Sequence, residues 1–400
     1  MNILEEIQNC PVEWKELGDK NVAKLSRGKV MSKQFLEENK GEYPVYSSQT
    51  ANNGEIGRIS SFEYDGEYIT WTTDGANAGT VFYRKGKFSI TNVCGLVEIN
   101  SDQLLTKFVY YYLTISTKKY VSSGMGNPKL MSNVMGKIKI PILPLEIQEK
   151  IVQTLDKMTE YVTELTSELT SRKKQYSFYR DKLLSFEDEV YQVEWKTLGD
   201  IGKVSMCKRI LKNQTSDDGE IPFYKIGTFG KVATSFISRE LFEEYKLRFS
   251  YPKLGEILIS ASGTIGRAVV FNGEDSYFQD SNIVWLEHDE SQVLNRYLYY
   301  FYQMNPWKVS DGGTISRLYN GNIEKTTIPV PSLEIQSRIV QVLDNFDTVC
   351  NDLNIGLPKE IELRQKQYEY FREKLLTFVA EGEYTDSTVQ YSTDKTSLGS

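Results

Sequence analysis

Four hundred residues, 40% hydrophobic and 25% charged, suffice for two ordinary domains with cores of their own. No apolar run approaches the roughly 18 residues of a membrane span, and the start MNILEEIQNC is acidic where a signal peptide would be basic, so a cytoplasmic chain is expected. The net charge of −7 argues against nucleic acid only until it is divided: Lys20 to Ile140 carries 16 Lys/Arg against 10 Asp/Glu, while Asp200 to Ile328 carries 15 against 16.

Residues 1–12 read as a leader without committed structure. From Glu13 the chain repeats itself: EWKELGD (13–19) returns as EWKTLGD (194–200), an offset of 181. Each copy continues with short β-type segments between Gly, Asn, Asp and Ser: Tyr68–Trp71, Thr80–Tyr83 and Val93–Ile99, then Ile257–Ser260, Ala268–Phe271 and Asn282–Leu286. An aromatic stretch follows, FVYYYL (108–113) against YLYYFY (297–302), which suits a buried helix packed on a sheet. A short strand (137–140; 326–328) and a proline pair (Pro141 and Pro144; Pro329 and Pro331) mark the exit from each sheet and the entry to a long helix.

That helix is the strongest repeat. LEIQEKIVQTLD (145–156) reappears as LEIQSRIVQVLD (333–344) at an offset of 188, and RKKQYSFYRDKLLSF (172–186) as RQKQYEYFREKLLTF (364–378) at 192. The drift from 181 to 188 places a seven-residue insertion in the second globular domain, and the last four residues fall at Gly356 and Pro358, where the second helix breaks. Ile151, Leu155, Met158, Val162, Leu165, Leu169, Arg172, Tyr176, Tyr179, Leu183 and Phe186 form a heptad stripe, which needs a partner, and the nearest is the other copy. The order domain, helix, domain, helix then predicts an antiparallel helix pair with a globular domain at either end. Arg172 and Arg364 share a slot of the stripe, where each either snorkels out of the seam or sets register against a carboxylate. Residues 380–400 are polar, aperiodic and read as a flexible tail.

Chemistry is sparse. His288, the only histidine, lies in EHDE and reads as a solvated turn; Cys10, Cys94, Cys207 and Cys350 form no metal or disulfide motif; no phosphate-binding glycine loop carries its lysine. Asn305-Pro306-Trp307 is similar to half of an Asn-Pro-Pro-aromatic methyltransferase motif, lacks the second proline, and reads as a turn. What recurs is a set of turns combining glycine with Ser, Thr, Asn, Gln and a basic residue, at 46–50, 70–77, 122–129, 260–267 and 312–317. Small residues permit close approach, amides suit adenine edges, and Arg or Lys suits guanine or phosphate. Ser47, Ser48, Gln49, Thr72, Thr73, Asn77, Asn127 and Lys129 of the first copy, and Lys225, Ser262, Thr264, Arg267, Ser316 and Arg317 of the second, are therefore the DNA-binding candidates; ordinary surface loops are the plain alternative.

The whole pattern, PxxxLEIQxxIVxxLD and RxKQYxxxRxKLLxF in duplicate, each behind a domain opening with EWKxLGD, closely resembles the specificity subunits of type I restriction-modification systems. The stretch NIGLPKEIELRQKQY is similar to that family as well. The resemblance spans residues 13–379 and implies an α+β chain: target-recognition domains at 13–141 and 191–329, joined by two long antiparallel coiled-coil helices at 142–190 and 330–379, a pseudo-two-fold internal repeat. It implies no catalysis in this chain, double-stranded DNA as ligand, and two methyltransferase subunits docked on the helices, with translocase-nuclease subunits as further partners. S-adenosylmethionine, and ATP with Mg for restriction, would belong to those partners. Gln148, Gln175, Tyr176, Arg180, Gln336, Gln367, Tyr368 and Arg372 are the docking candidates on the helices. A single-chain methyltransferase or nuclease with a fused reader, or a coiled-coil scaffold, remain the other classes.

Overall fold

The computed structural model describes residues 3–122, 126–186, 193–308 and 317–377. The chain divides into two units, 1–164 with 361–400 and 165–360, so that each long helical segment contributes to both. The helix Leu145–Ser185 is unbroken over 41 residues, about 60 Å at 1.5 Å per residue. Its counterpart is two helices, Leu333–Asn351 and Leu357–Leu376, with the interruption where glycine and proline predict it.

In the first unit, strands Ala23–Arg27, Cys94–Ile99, Tyr64–Thr72, Val81–Ile90, Lys40–Tyr46 and Glu55–Ile59 lie side by side in that order in a six-stranded sheet. All neighbours are antiparallel except Val45–Tyr46 beside Ser89–Ile90. Side chains alternate faces along a strand, and the core follows that alternation. Ile69, Trp71, Val81 and Val97 meet the aromatic helix Thr106–Ser116, whereas Phe88, Ile90, Cys94 and Leu96 form a smaller cluster with Tyr46, Tyr64 and Tyr68. Gly95 is required beneath Trp71: a Cβ there would stand 2.3 Å from the indole.

The second unit repeats the plan with a break. Strands Lys203–Ser205, Ile283–Glu287, Ile257–Ser260 and Ala268–Val270 form a four-stranded sheet under the aromatic helix Asn295–Gln303. A separate three-stranded sheet holds Phe236–Ile237, Ile221–Tyr224 and Tyr277–Phe278, its last pair parallel like the matching pair in the first unit. The seven-residue insertion is thus a net figure. The chain is three residues shorter between the EWK strand and Tyr224 than between EWK and Tyr46, and ten residues longer from Tyr224 to Ile257 than from Tyr46 to Ile69. The longer interval contains the helix Arg239–Arg248.

Two sequence expectations need correction, and one open alternative is decided. Residues 1–12 include a helix, Ile3–Asn9, docked on the core by Ile7 and on the long helix by Glu6 to Lys150 at 2.7 Å. Of each proline pair only the second member stands between strand and helix, Pro144 and Pro331; Pro141 faces Trp14 and Pro329 faces Trp195 inside two-stranded ladders, where every strand is an edge and a missing N–H is tolerated. Arg172 is exposed and pairs with Glu168 on its own helix at 3.3 Å, which favours the snorkelling account of that slot. The proposed tail at 380–400 lies outside the described residues.

Within each unit the helices pair antiparallel. In the second, Tyr176 and Tyr179 meet Phe346, while the earlier Glu168 and Arg172 share a hollow with the later Val349 and Leu357. In the first, Tyr161 meets Arg364, while the earlier Ile147, Ile151 and Leu155 share a core with the later Leu375 and Leu376.

Candidate nucleic-acid interface

The aromatic helices begin after Leu105 and Leu294, residues that cannot cap a helix. Their first N–H groups are satisfied from the LEIQ helices instead. Gln148 Oε1 accepts from Leu105 N–H at 2.9 Å while its Nε2 donates to the Gln103 and Leu143 carbonyls. Gln336 does the same for Leu294, Gln292 and Pro331. Both glutamines have no exposed surface, so neither can dock a partner, and the outward role expected for them is wrong. Tyr176 is likewise buried, with its hydroxyl on Gln303 at 2.7 Å. A second matched tie sets the aromatic helix against the same helix: Lys107 and Tyr111 hold Asp156, and Arg296 and Tyr300 hold Asp344.

At the far end of each central strand stands a matched clasp. Thr72 Oγ1 donates to the Asn77 carbonyl and accepts from Thr80 N–H at 3.1 Å; Ser260 Oγ donates to the Thr264 carbonyl and accepts from Arg267 N–H at 2.9 Å. Gly79 and Gly266, both at φ 80°, make the left-handed return. The side chains of Asn305 and Trp307 pack under Gly266, which gives the Asn-Pro-Trp turn a structural purpose. Thr72 and Thr73 have no exposed surface, and Thr73 Oγ1 is taken by the Val93 carbonyl and Arg27. They shape the turn and cannot read a base edge as expected.

The clasps bring the other candidates together. In the first unit Asp74 bridges Lys129, Gly75 N–H donates to the Pro128 carbonyl at 3.0 Å, and Asn77 Nδ2 donates to Thr50 Oγ1 at 3.1 Å. The turns at 47–50, 74–77 and 127–129 therefore share one surface, with Gln49, Asn77, Asn127 and Lys129 exposed and Ser47 and Ser48 half-buried. In the second unit Ser262 bridges Arg317, at the same offset of 188 as Asp74 and Lys129. Arg317 donates to the Ser281 carbonyl, Ser262 to Asn282 Oδ1, and Arg267 to the Phe229 carbonyl, with Thr264 and Lys225 exposed nearby. Ser316 lies outside the described residues. On the helices Gln175 and Gln367 are exposed, and Arg180, Tyr368 and Arg372 are half-buried.

Sequence reasoning passed over Arg209 and Lys212. With Lys225, Gln279, Asp280 and Asn282 they line a cavity of about 350 Å³ beside the second set of turns. The run Cys207-Lys208-Arg209 before a polar loop was the available signal. His288 is a turn clasp, its ring nitrogens near the Leu286 and Val293 carbonyls. Among the described residues no cluster of His, Cys, Asp and Glu could hold a metal, and no helix is long and apolar enough to cross a membrane.

Comparison with known proteins agrees across the chain. The family model described as type I restriction modification DNA specificity domain matches twice, at residues 11–172 and 192–363. A chain of Haemophilus influenzae named as a type I restriction enzyme specificity subunit is 46% identical over 384 residues, covering 93% of this chain and 97% of that one. The EcoR124I/EcoR124II specificity subunit of Escherichia coli is 32% identical over 321 residues, 76% of this chain and 78% of its own. The crystal structure of the S subunit from M. genitalium shares the fold, with a TM-score of 0.56 at 17% identity over 93% of this chain and 98% of that one.

Proposed function

The chain belongs to the type I restriction-modification DNA specificity family, and on that premise we propose that each of its two units reads one half of a bipartite duplex target. The chain is the sequence-specificity subunit of such a system and supplies recognition, not catalysis. The observation that carries the two-reader reading is the matched bracket: Asp74 with Lys129 and Ser262 with Arg317 place a basic residue beside a clasped polar turn once per unit. Base edges need small polar groups at close range, and phosphates need the cation; each unit offers both. The long helices act as the ruler between the half-sites, which would lie about one helical turn, roughly 10 bp, apart on one face of the duplex.

The helices also carry the docking face for two methyltransferase subunits, which bring S-adenosylmethionine to adenine; translocase-nuclease subunits with ATP and Mg add restriction. Gln175 with Phe178, and Gln367 with Tyr370, support this assignment. Each is an i, i+3 pair on one helix face, and the aromatic rings are 62% and 58% exposed at matching positions. A cytoplasmic location follows from the same partners and ligand. Mapping methylated adenine in a host with and without this chain tests the reading. A bipartite motif that appears only with the chain is the expected result; a continuous motif, or none, would sink it.

A further inference from the structure

The first unit buries a guanidinium without a carboxylate. Arg84, in the strand Val81–Ile90, is only 3% exposed. Its Nε donates to Thr70 Oγ1 at 3.1 Å and one Nη donates to the Asn53 carbonyl at 2.8 Å. The guanidinium lies 3.5 Å from the Tyr46 ring centroid and 4.5 Å from that of Phe82, and its other Nη is buried with no acceptor among the described residues. No Asp or Glu among the described residues pairs with it.

The fold does not require an arginine there. The ladder register that sets Tyr68 opposite Arg84 sets Glu256 opposite Phe271 in the second unit, and it likewise matches Thr70 to Leu258. Leu258 and Phe271 are buried in one apolar cluster. An apolar pair thus takes the place of Arg84 and Thr70 at the same strand crossing, with no guanidinium buried there, whereas a buried cation without a counter-ion is costly. What the first unit has in addition is the turn Ser47–Gly54, in which Asn52 and Asn53 both adopt left-handed φ values of 49° and 53°. Two consecutive non-glycine residues hold that conformation only where their surroundings impose it. Arg84 donates to the Asn53 carbonyl from beneath, Ser47 N–H closes the turn on the Gly54 carbonyl, and the same turn presents Ser47, Ser48 and Gln49 and receives Asn77 at Thr50.

We propose that Arg84 is the positioning residue that sets base discrimination by the first unit: it fixes the Ser47–Gly54 turn in one geometry and holds a permanent positive charge beneath it. The proposal rests on the reading that each unit recognises one half-site.

The test uses the full chain in its assembled complex and the bipartite motif obtained by mapping methylated adenine. Duplexes with single base changes in either half are compared between wild type and Arg84→Met. The expected result is a loss of about tenfold or more in discrimination at one half-site, with the other unchanged. Wild-type discrimination at both halves, or equal loss at both in a folded complex, overturns the proposal. If Arg84→Met does not fold, Thr70→Val carries the same test, since it keeps volume and strand preference while removing the Nε acceptor; the same selective loss supports the proposal and unchanged discrimination overturns it. Absence of any bipartite motif in the wild type removes the two-reader reading itself, a distinguishable failure.

Discussion

The two units share a frame and differ in one strand. Val81–Ile90 runs unbroken through the first sheet, whereas its counterpart stops at Val270 and resumes at Tyr277, dividing the second sheet in two. The helix Arg239–Arg248 is held at that break: Phe242 is buried in the local core, and Arg239 and Lys246 hold Asp275 at 3.1 and 3.3 Å. Arg239, hydrogen-bonded to Asp275, keeps that carboxyl below its usual range. The main ties to the long helices are matched in kind, Gln148 with Gln336 and Asp156 with Asp344. The difference teaches where this chain varies between its two copies: in the sheet and its insertions, away from the ties to the long helices.

Thiols offer the largest contrast between closed and open units. Burial pushes Cys94 in the first unit and Cys207 in the second up to about 12. Thiolate at pH 8 is then about a thousandfold scarcer than for an exposed cysteine. Iodoacetamide should label half-buried Cys10 first, and Cys94 and Cys207 only when their own unit opens. Early modification of either would show that its unit does not hold this core. With those reporters the frame itself can be broken one copy at a time. Gln148→Leu strands the Leu105 N–H and two carbonyls, about 3–5 kcal/mol. Cys94 should then become reactive while Cys207 stays protected, and Gln336→Leu should give the reverse. Equal exposure of both thiols in either variant would mean that the units open together.

The frame was legible because it is written twice. Strand positions, both aromatic helices and the break at Gly356–Pro358 follow from periodicity and from glycine and proline, which act locally. Gln148 and Gln336 were visible as repeats but misplaced, because a polar residue in an amphipathic stripe is ordinarily outward. Only the neighbouring helix start, with leucine where a cap belongs, gives the glutamine an inward use. Arg84 was invisible for the opposite reason: it has no copy, since its counterpart is Phe271. The broken strand was hidden as well, because a three-residue loss and a ten-residue gain sum to the same offset as a single loop insertion.

On the reading surface the two units should respond alike in kind and unequally in size. Lys129→Ala removes an exposed cation, which should cost about tenfold in affinity and lower the salt slope by about one, uniformly across sequences. Arg317→Ala also releases the Ser281 carbonyl, so it should lose discrimination at its half-site in addition. Binding titrations at several salt concentrations separate the two effects, and an unchanged slope for both variants would place these residues off the DNA.

The smallest difference lies in the charged tie between the aromatic helix and the LEIQ helix. Lys107 to Asp156 and Arg296 to Asp344 are both 2.7 Å, and all four side chains remain about a third exposed or more, so solvent screens each pair. The arginine, unlike the lysine, also reaches Asp347 at 3.5 Å and can keep half of its partnership when Asp344 is neutralised. Asp156→Asn should therefore destabilise the first unit by about 1 kcal/mol, and Asp344→Asn the second by about half of that. Hydrogen exchange resolved to Thr106–Ser116 and Asn295–Gln303 would read the two separately. A larger loss in the second unit would mean that Asp347 does not substitute, and adding Asp347→Asn to Asp344→Asn should raise its cost to that of the first.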